Sequence, residues 1–138
     1  MAILTSAEVT DQAEAAFIQG TYKVALTYNL TDYTDSVSLA TVQNDEVNTG
    51  DGGYARLSFT YSSSDLEAYE NGQPFTEKTA QFVHDGSSTE IKFNHVVLLR
   101  DVSGTESVVG FQTLDEVVVL NNEATARIKI NNLFGAQS

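Results

Sequence analysis

The stretch EIKFNHVVLLRDVSGTESVVGFQT, residues 90–113, decides the class of fold that the chain can adopt. Its first half has apolar residues at alternating positions, namely Ile91, Phe93, Val97 and Leu99. Alternation with a period of two predicts a strand over 90–100 with these side chains on one face. The DVSG sequence indicates a hairpin turn, and a second apolar run follows it. We therefore expect two antiparallel strands joined by a tight turn.

A second strand pattern follows a glycine-rich turn in NTGDGGYARLSFTY, residues 48–61. Glycine reaches positive φ without steric cost, so the NTGDGG segment predicts a turn. The strand predicted over 54–61 has two sides, one with Ala55, Leu57, Phe59 and Tyr61, and the other with Tyr54, Arg56, Ser58 and Thr60. None of these residues forms a recognisable reactive group. The pattern therefore indicates a role in packing.

Similar patterns extend along the chain from residue 21. We predict a half-buried strand over 21–28 and further strands over 39–47, 78–83, 107–113, 117–120 and 124–130. Turn residues separate them, including HDGSS, which predicts a tight hairpin, and NNEA. Seven or eight short strands with one polar face favour an all-β fold. We expect an antiparallel β-sandwich, jelly-roll-like, rather than a parallel α/β fold.

The N-terminal segment has a different pattern. The TSAE sequence at 5–8 has the spacing of a capping box, and Val9, Ala13, Ala16 and Phe17 follow at helical intervals. We predict a short helix over about 6–18, which Gly20 ends. The SSSDLEAYENGQP segment permits one or two further helical turns before Pro74. The predicted organisation is an N-terminal arm or short helix at 1–19 and a single β-sandwich domain at 20–138.

Composition excludes several kinds of partner. The chain has 138 residues, enough for one domain with a core, and its net charge is −12. Such a charge repels nucleic acid and anionic membranes, so we expect neither as a partner. The absence of cysteine excludes disulfides and thiolate metal sites. No secretory leader or membrane-spanning run is visible, which indicates a protein made in a reducing cytoplasm.

Two histidines are the first candidates for chemistry. His84 precedes the predicted HDGSS turn, where an exposed turn residue is the simplest interpretation. His95 lies within the strand predicted over 90–100, where we expect a partly buried, hydrogen-bonded side chain. Neither has the cysteine or carboxylate spacing of a metal site.

Acidic residues offer no stronger candidate. Asp115 and Glu116 have the pattern of surface charges at a strand end or bulge, rather than of a paired acid and base. Asp32, Asp35 and Asp51 are a weak alternative for a structural calcium site, since their spacing is not that of an EF-hand. NTGDGG lacks the lysine and the helix of a phosphate-binding loop. We predict no catalytic, cofactor or metal site, and hence a protein that is not an enzyme.

The order of the segments GTYKVALTYN, GYARLSFTY, TAQFVHDGSSTEIKFNHVVLLRD and ARIKINNLFGA resembles small virion structural proteins of tailed bacteriophages, especially those of cyanobacterial phages. The resemblance covers about residues 20–136 at the level of pattern. It implies a capsid cement or decoration protein with no catalytic residues. Such a protein acts as a homotrimer on the virion exterior, where it binds the major capsid protein and stabilises the shell after synthesis in the bacterial cytoplasm.

Two apolar segments are the candidate interface under this interpretation: Ile3, Leu4, Val9, Phe17 and Ile18 in the arm, and Leu133 and Phe134 after the last strand. Packing inside the chain's own core is an equal alternative for both segments. Two other functions remain open. One is a tail, collar or fibre-associated component that binds host glycans, which should have clustered exposed aromatic residues. The other is a small glycan hydrolase, which should have a pocket with converging titratable groups.

Overall fold

The computed structural model describes residues 2–4 (as backbone), 20–60 and 79–129. Seven strands lie in this part of the chain: β1 (Ala2–Leu4), β2 (Thr21–Thr27), β3 (Leu57–Phe59), β4 (Thr79–Val83), β5 (Ile91–Val102), β6 (Thr105–Leu120) and β7 (Thr125–Lys129). One helix, α1 (Leu39–Asp45), and one 3-10 turn, Asp51–Gly53, lie between β2 and β3. The all-β, sandwich-like fold expected from the sequence is confirmed.

The strands form two antiparallel sheets. A five-stranded sheet has the order β1-β6-β5-β2-β3, and β4 pairs with β7 in a two-stranded sheet. One layer therefore contains five of the described strands, and the other contains two. Of the N-terminal arm predicted at 1–19, the structure describes only residues 2–4. They form β1, which pairs with Gly110–Gln112 of β6. The helices expected over 6–18 and near 64–72 fall outside the described residues.

β5 is buried on both faces for most of its length, as expected of a strand between two packed layers. The face toward the two-stranded sheet holds Ile91, Phe93, Val96 and Leu98, which pack in one core cluster with residues of β2, β4 and β6. The opposite face holds Val97 and Leu99, which pack in a second cluster with residues of β2, β6, α1 and the loop before α1. The prediction that Ile91, Phe93, Val97 and Leu99 share one face is therefore wrong.

The pairing of β5 with β6 is irregular where this change of face occurs. Phe93 of β5 pairs with Val118 of β6, but His95 pairs with Thr113, so residues 114–117 lie opposite Asn94 alone. Because the side-chain period of a strand is two, the step from Phe93 to Val96 in the first cluster shows that β5 departs from regular alternation at Asn94 and His95. Strand β5 can therefore supply apolar side chains to both clusters.

The hairpin predicted from DVSG is confirmed. Val102 pairs with Thr105, which leaves Ser103 and Gly104 as a two-residue turn with φ values of 53° and 86°. Positive φ at both positions gives a turn whose twist matches that of the strands. Asp101 Oδ1 accepts a hydrogen bond of 2.9 Å from Gly104 N–H, so the aspartate secures the turn with its side chain.

The edge strand predicted over 39–47 is instead helix α1. Ser38 has an extended backbone and its Oγ accepts a hydrogen bond of 3.2 Å from Thr41 N–H, which is N-cap geometry. Val42 of the helix is buried and Leu39 is partly buried against the second cluster, so two apolar residues hold this short helix on the sheet. The N-cap at Ser38 favours a helix over the weak strand pattern of residues 39–47.

The HDGSS segment is not a hairpin turn. β4 before it pairs with β7, and β5 after it belongs to the other sheet, so residues 84–90 cross between the layers. The strand predicted over 21–28 is confirmed as β2, but it is buried on both faces rather than on one, since Ala25 and Thr27 are also covered.

The strand predicted over 54–61 is shorter than expected. Only Leu57–Phe59 forms β3, whose two terminal side chains pack against the first cluster. Tyr54, predicted on the opposite side, is buried in that same cluster, and Ala55 is exposed. The difference arises because Tyr54 follows the 3-10 turn and enters the core before regular pairing begins.

Gly52 provides a test of the contacts between loops. Its φ is 60°, and a Cβ added there would lie 2.7 Å from His84 Cδ2 and 2.8 Å from Ile91 Cγ1. We expect Gly52→Ala to lose about 1–3 kcal/mol of unfolding free energy from overpacking, in addition to backbone strain. The matched control is Gly50→Ala, where φ is also positive but no atom lies within 4 Å. Equal losses in urea denaturation of the two variants would contradict the packing described here.

Candidate functional site

His84 has a structural role. It is buried rather than exposed, which corrects the sequence interpretation. Its Nδ1 lies 3.0 Å from Gly86 N–H and 3.4 Å from Glu123 N–H, and its Nε2 lies 2.7 Å from Thr89 O. Two N–H donors at Nδ1 place the ring proton on Nε2, which donates to the carbonyl. The ring therefore joins the crossing segment to the β6–β7 turn.

His95 is buried in the second cluster, where the sequence predicted a partly buried, hydrogen-bonded side chain. Tyr33 N–H donates to its Nε2 at 3.4 Å, and the Tyr33 ring stacks on the imidazole with centroids 4.0 Å apart. The Tyr33 hydroxyl contacts Thr27 Oγ1 at 2.9 Å and Asp45 Oδ2 at 2.8 Å. Burial, with a further contribution from Asp45, raises the pKa of the Tyr33 phenol above its ordinary value. A phenol held in this way is a poor acid at neutral pH.

An ionic network ties the loop after α1 to β6. Arg56 binds both carboxylate oxygens of Glu46, at 2.7 and 2.9 Å, and its Nη1 lies 2.9 Å from Glu106 Oε1. Lys23 extends the network, with Nζ 3.6 Å from Glu106 Oε2 and 3.7 Å from Asp101 Oδ2. The hydrogen bond to Glu46 is the main reason that the pKa of Arg56 lies above its ordinary value. These charges therefore bind one another.

Tyr54 joins this network to the core. Its hydroxyl accepts from Leu26 N–H at 3.1 Å and donates to Glu46 Oε2 at 2.6 Å. Burial, and then the bond to Glu46, raises the pKa of this phenol. Sequence reasoning missed the network, because Glu46, Arg56 and Glu106 are distant in the chain and only the fold brings them together.

The described surface carries an exposed apolar feature that we call the outer patch: Tyr28, Lys92, Val117 and Val119. The two valines are 42% and 41% exposed on β6, and they alternate with side chains that face the core. Val119 is the register partner of Lys92, whose Nζ lies 4.4 Å from the centre of the Tyr28 ring. A cation over an aromatic face beside exposed valines is a combination suited to protein contacts. Residues 117–120 form an unbroken apolar run in the sequence, which predicts a strand but not which of its faces is exposed.

The predicted interface residues are mostly outside the described part of the chain. Ile3 and Leu4 lie in β1, whose backbone forms an edge of the larger sheet. Val9, Phe17, Ile18, Leu133 and Phe134 lie outside the described residues. The interface assigned to these residues stays a prediction.

The acidic candidates do not converge. Asp115 and Glu116 are exposed in the bulged part of β6, as expected for surface charges. Asp32 and Asp35 are exposed in the loop after β2, and Asp51 begins the 3-10 turn. Within residues 20–60 and 79–129, no three histidine or acidic side chains are grouped so that they could hold a metal ion.

Comparison with known proteins identifies no relative. No family model matches the sequence, and no curated protein or solved structure is significantly similar to it. Among the described residues, no helix has the length and apolar character needed to cross a membrane. The resemblance to phage virion proteins therefore stays a prediction.

Tyr54→Phe tests whether the ionic network supports the core. The change removes the acceptor of Leu26 N–H and the donor to Glu46, so we expect a loss of about 1–3 kcal/mol in unfolding free energy. Tyr28→Phe is the matched control, since it keeps the ring beneath Lys92 and should change stability by less than about 0.5 kcal/mol. Urea denaturation measures both variants. A Tyr54→Phe protein as stable as Tyr28→Phe would show that the buried hydroxyl is dispensable.

Proposed function

We propose that this protein is a structural protein of a tailed-phage virion, a capsid decoration protein that binds the assembled shell through contact between folded surfaces. The observation that carries the proposal is the outer patch. Its valines project from a strand whose other face packs in the core, so the backbone holds them rigidly. Little conformational entropy is lost when a rigid surface binds, which favours stable attachment.

The arrangement of titratable side chains supports binding rather than catalysis. His84 accepts two backbone N–H groups, and Arg56 binds two carboxylates. Catalytic acids and bases need a reacting group within hydrogen-bond reach. The titratable groups described above have protein partners instead, which favours a role for the surface of the molecule.

The overall charge suits attachment in many copies. A net charge of −12 opposes non-specific association in solution, so specific association depends on local apolar contact. In a homotrimer that bridges several capsid subunits, weak contacts would combine through effective concentration. Apolar attachment of this kind should weaken little in moderate salt, because salt screens exposed charges.

The double variant Val117→Asp/Val119→Asp tests the proposal. Charged side chains in the outer patch should lower retention on empty shells assembled from the major capsid protein by about tenfold or more, since desolvating them opposes binding. Co-sedimentation with the shells measures retention. The control is Val83→Asp on β4, which changes an equally exposed valine of the other sheet and should bind normally.

Two results would overturn the proposal. One is wild-type protein that remains monomeric in sedimentation equilibrium and does not bind shells, where we expect about three times the chain mass of 15.0 kDa. The other is the reverse result for the variants, in which Val83→Asp is no longer retained on the shells and the double variant is retained normally. Turnover of a glycan substrate by the purified protein would favour the enzyme alternative instead.

A further inference from the structure

His95 lies where the five-stranded sheet is covered by the segment between β2 and α1, residues 28–38, which we call the Tyr33 loop. The loop's one buried side chain is Tyr33, which stacks on His95 and contacts Phe111 edge-on with centroids 5.7 Å apart. Beneath it lie Ala25 and Val97 of the second cluster. The contact between Tyr33 and His95, together with the bonds of the Tyr33 hydroxyl to Thr27 and Asp45, thus holds the loop over an apolar part of the sheet.

The side-chain hydrogen bond of His95 fits only the neutral form of the ring. Tyr33 N–H donates to Nε2, so this nitrogen must keep its lone pair and the ring proton must be on Nδ1. Nδ1 is buried and has no hydrogen-bond partner. A second proton would be added to Nε2, where it would face the Tyr33 N–H. Protonation would therefore break the bond to the loop and bury a charge.

The surrounding groups set the balance between the two forms. Burial lowers the pKa of His95 below 6.5, and the carboxylates of Asp32 in the loop and Asp45 in α1 oppose this effect more weakly. The strand neighbours of His95 are Thr27 of β2 and Thr113 of β6, which carry no charge. The net effect of these neighbours favours the neutral imidazole.

We propose that His95 is a pH-sensitive latch whose protonation under mildly acidic conditions releases the Tyr33 loop and exposes the apolar sheet face below it. The first core cluster lies on the other side of the sheet and contains no residue of this loop, so the sandwich stays folded when the loop opens. An apolar surface then becomes available only in acidic surroundings.

The sign of the pH dependence follows from the two protonation states. A histidine whose pKa is lowered in the closed form binds fewer protons there than in the open form. Closure is therefore most stable above about pH 6.5, the ordinary value for histidine. It weakens as the pH falls below this value, by about tenfold in the closing equilibrium for each pH unit until the pKa of the closed form is reached.

Hydrogen exchange of the intact protein at pH 7.5 and pH 5.0, corrected for intrinsic exchange rates, tests the latch. We expect peptides from the Tyr33 loop to lose protection at pH 5.0, while β4 and β7 keep theirs. His95→Gln supplies an amide oxygen as acceptor but does not titrate, so the loop should respond much less to pH. His84→Gln, which changes the other buried histidine, should leave the loop's response unchanged.

A second measurement does not depend on the variants folding. NMR of the histidine ring nitrogens in the wild-type protein should show His95 with the proton on Nδ1 and an apparent pKa below 6.5. An apparent pKa at or above 6.5, a proton on Nε2, or a loop equally protected at both pH values would overturn the proposal. So would a pH response that disappears in His84→Gln and persists in His95→Gln.

Discussion

The structure depends on one strand that must be apolar on both faces. β5 lies between β2 and β6, and its two faces pack in separate core clusters. A strictly regular strand would have kept Phe93 and Val97 on the same side, and β5 departs from this at Asn94, where its pairing with β6 is irregular. The two layers that cover the sheet are therefore coupled through the backbone of β5.

Polar side chains complete the fold where regular pairing ends. Asn94 Oδ1 accepts from Asn29 N–H at 3.0 Å and its Nδ2 donates to Asn29 O at 2.8 Å, so a side-chain amide replaces strand pairing beyond the end of β2. His95 then holds the returning loop, and His84 joins the segments at the opposite crossing. Buried polar groups with few alternative partners specify one arrangement of loops. The two histidines, which were the first candidates for chemistry, serve this purpose.

Sequence patterns predicted the local features better than the long-range ones. The strands β2 and β4 and the DVSG turn follow from alternation and from residues that tolerate positive φ. The change of face within β5 had one weak sequence signal, the polar pair Asn94 and His95 inside an apolar run. Irregular pairing also depends on the partner strand, which the local pattern does not contain. Burial of His84 could not be predicted, because its partners come from separate loops. Of the candidate site, the apolar run at 117–120 predicted a strand, but which side faces outward is decided by packing against β4 and β7.

Native-state hydrogen exchange of the β5 amides at neutral pH is the most direct test of this account. If β5 couples both layers, the amides of Val96, Val97, Leu98 and Leu99 should exchange only through global unfolding, with the same free energy as urea denaturation gives. Exchange of these amides at a clearly lower free energy, while β4 and β7 remain protected, would show that the layers separate independently and would contradict the central role of the strand.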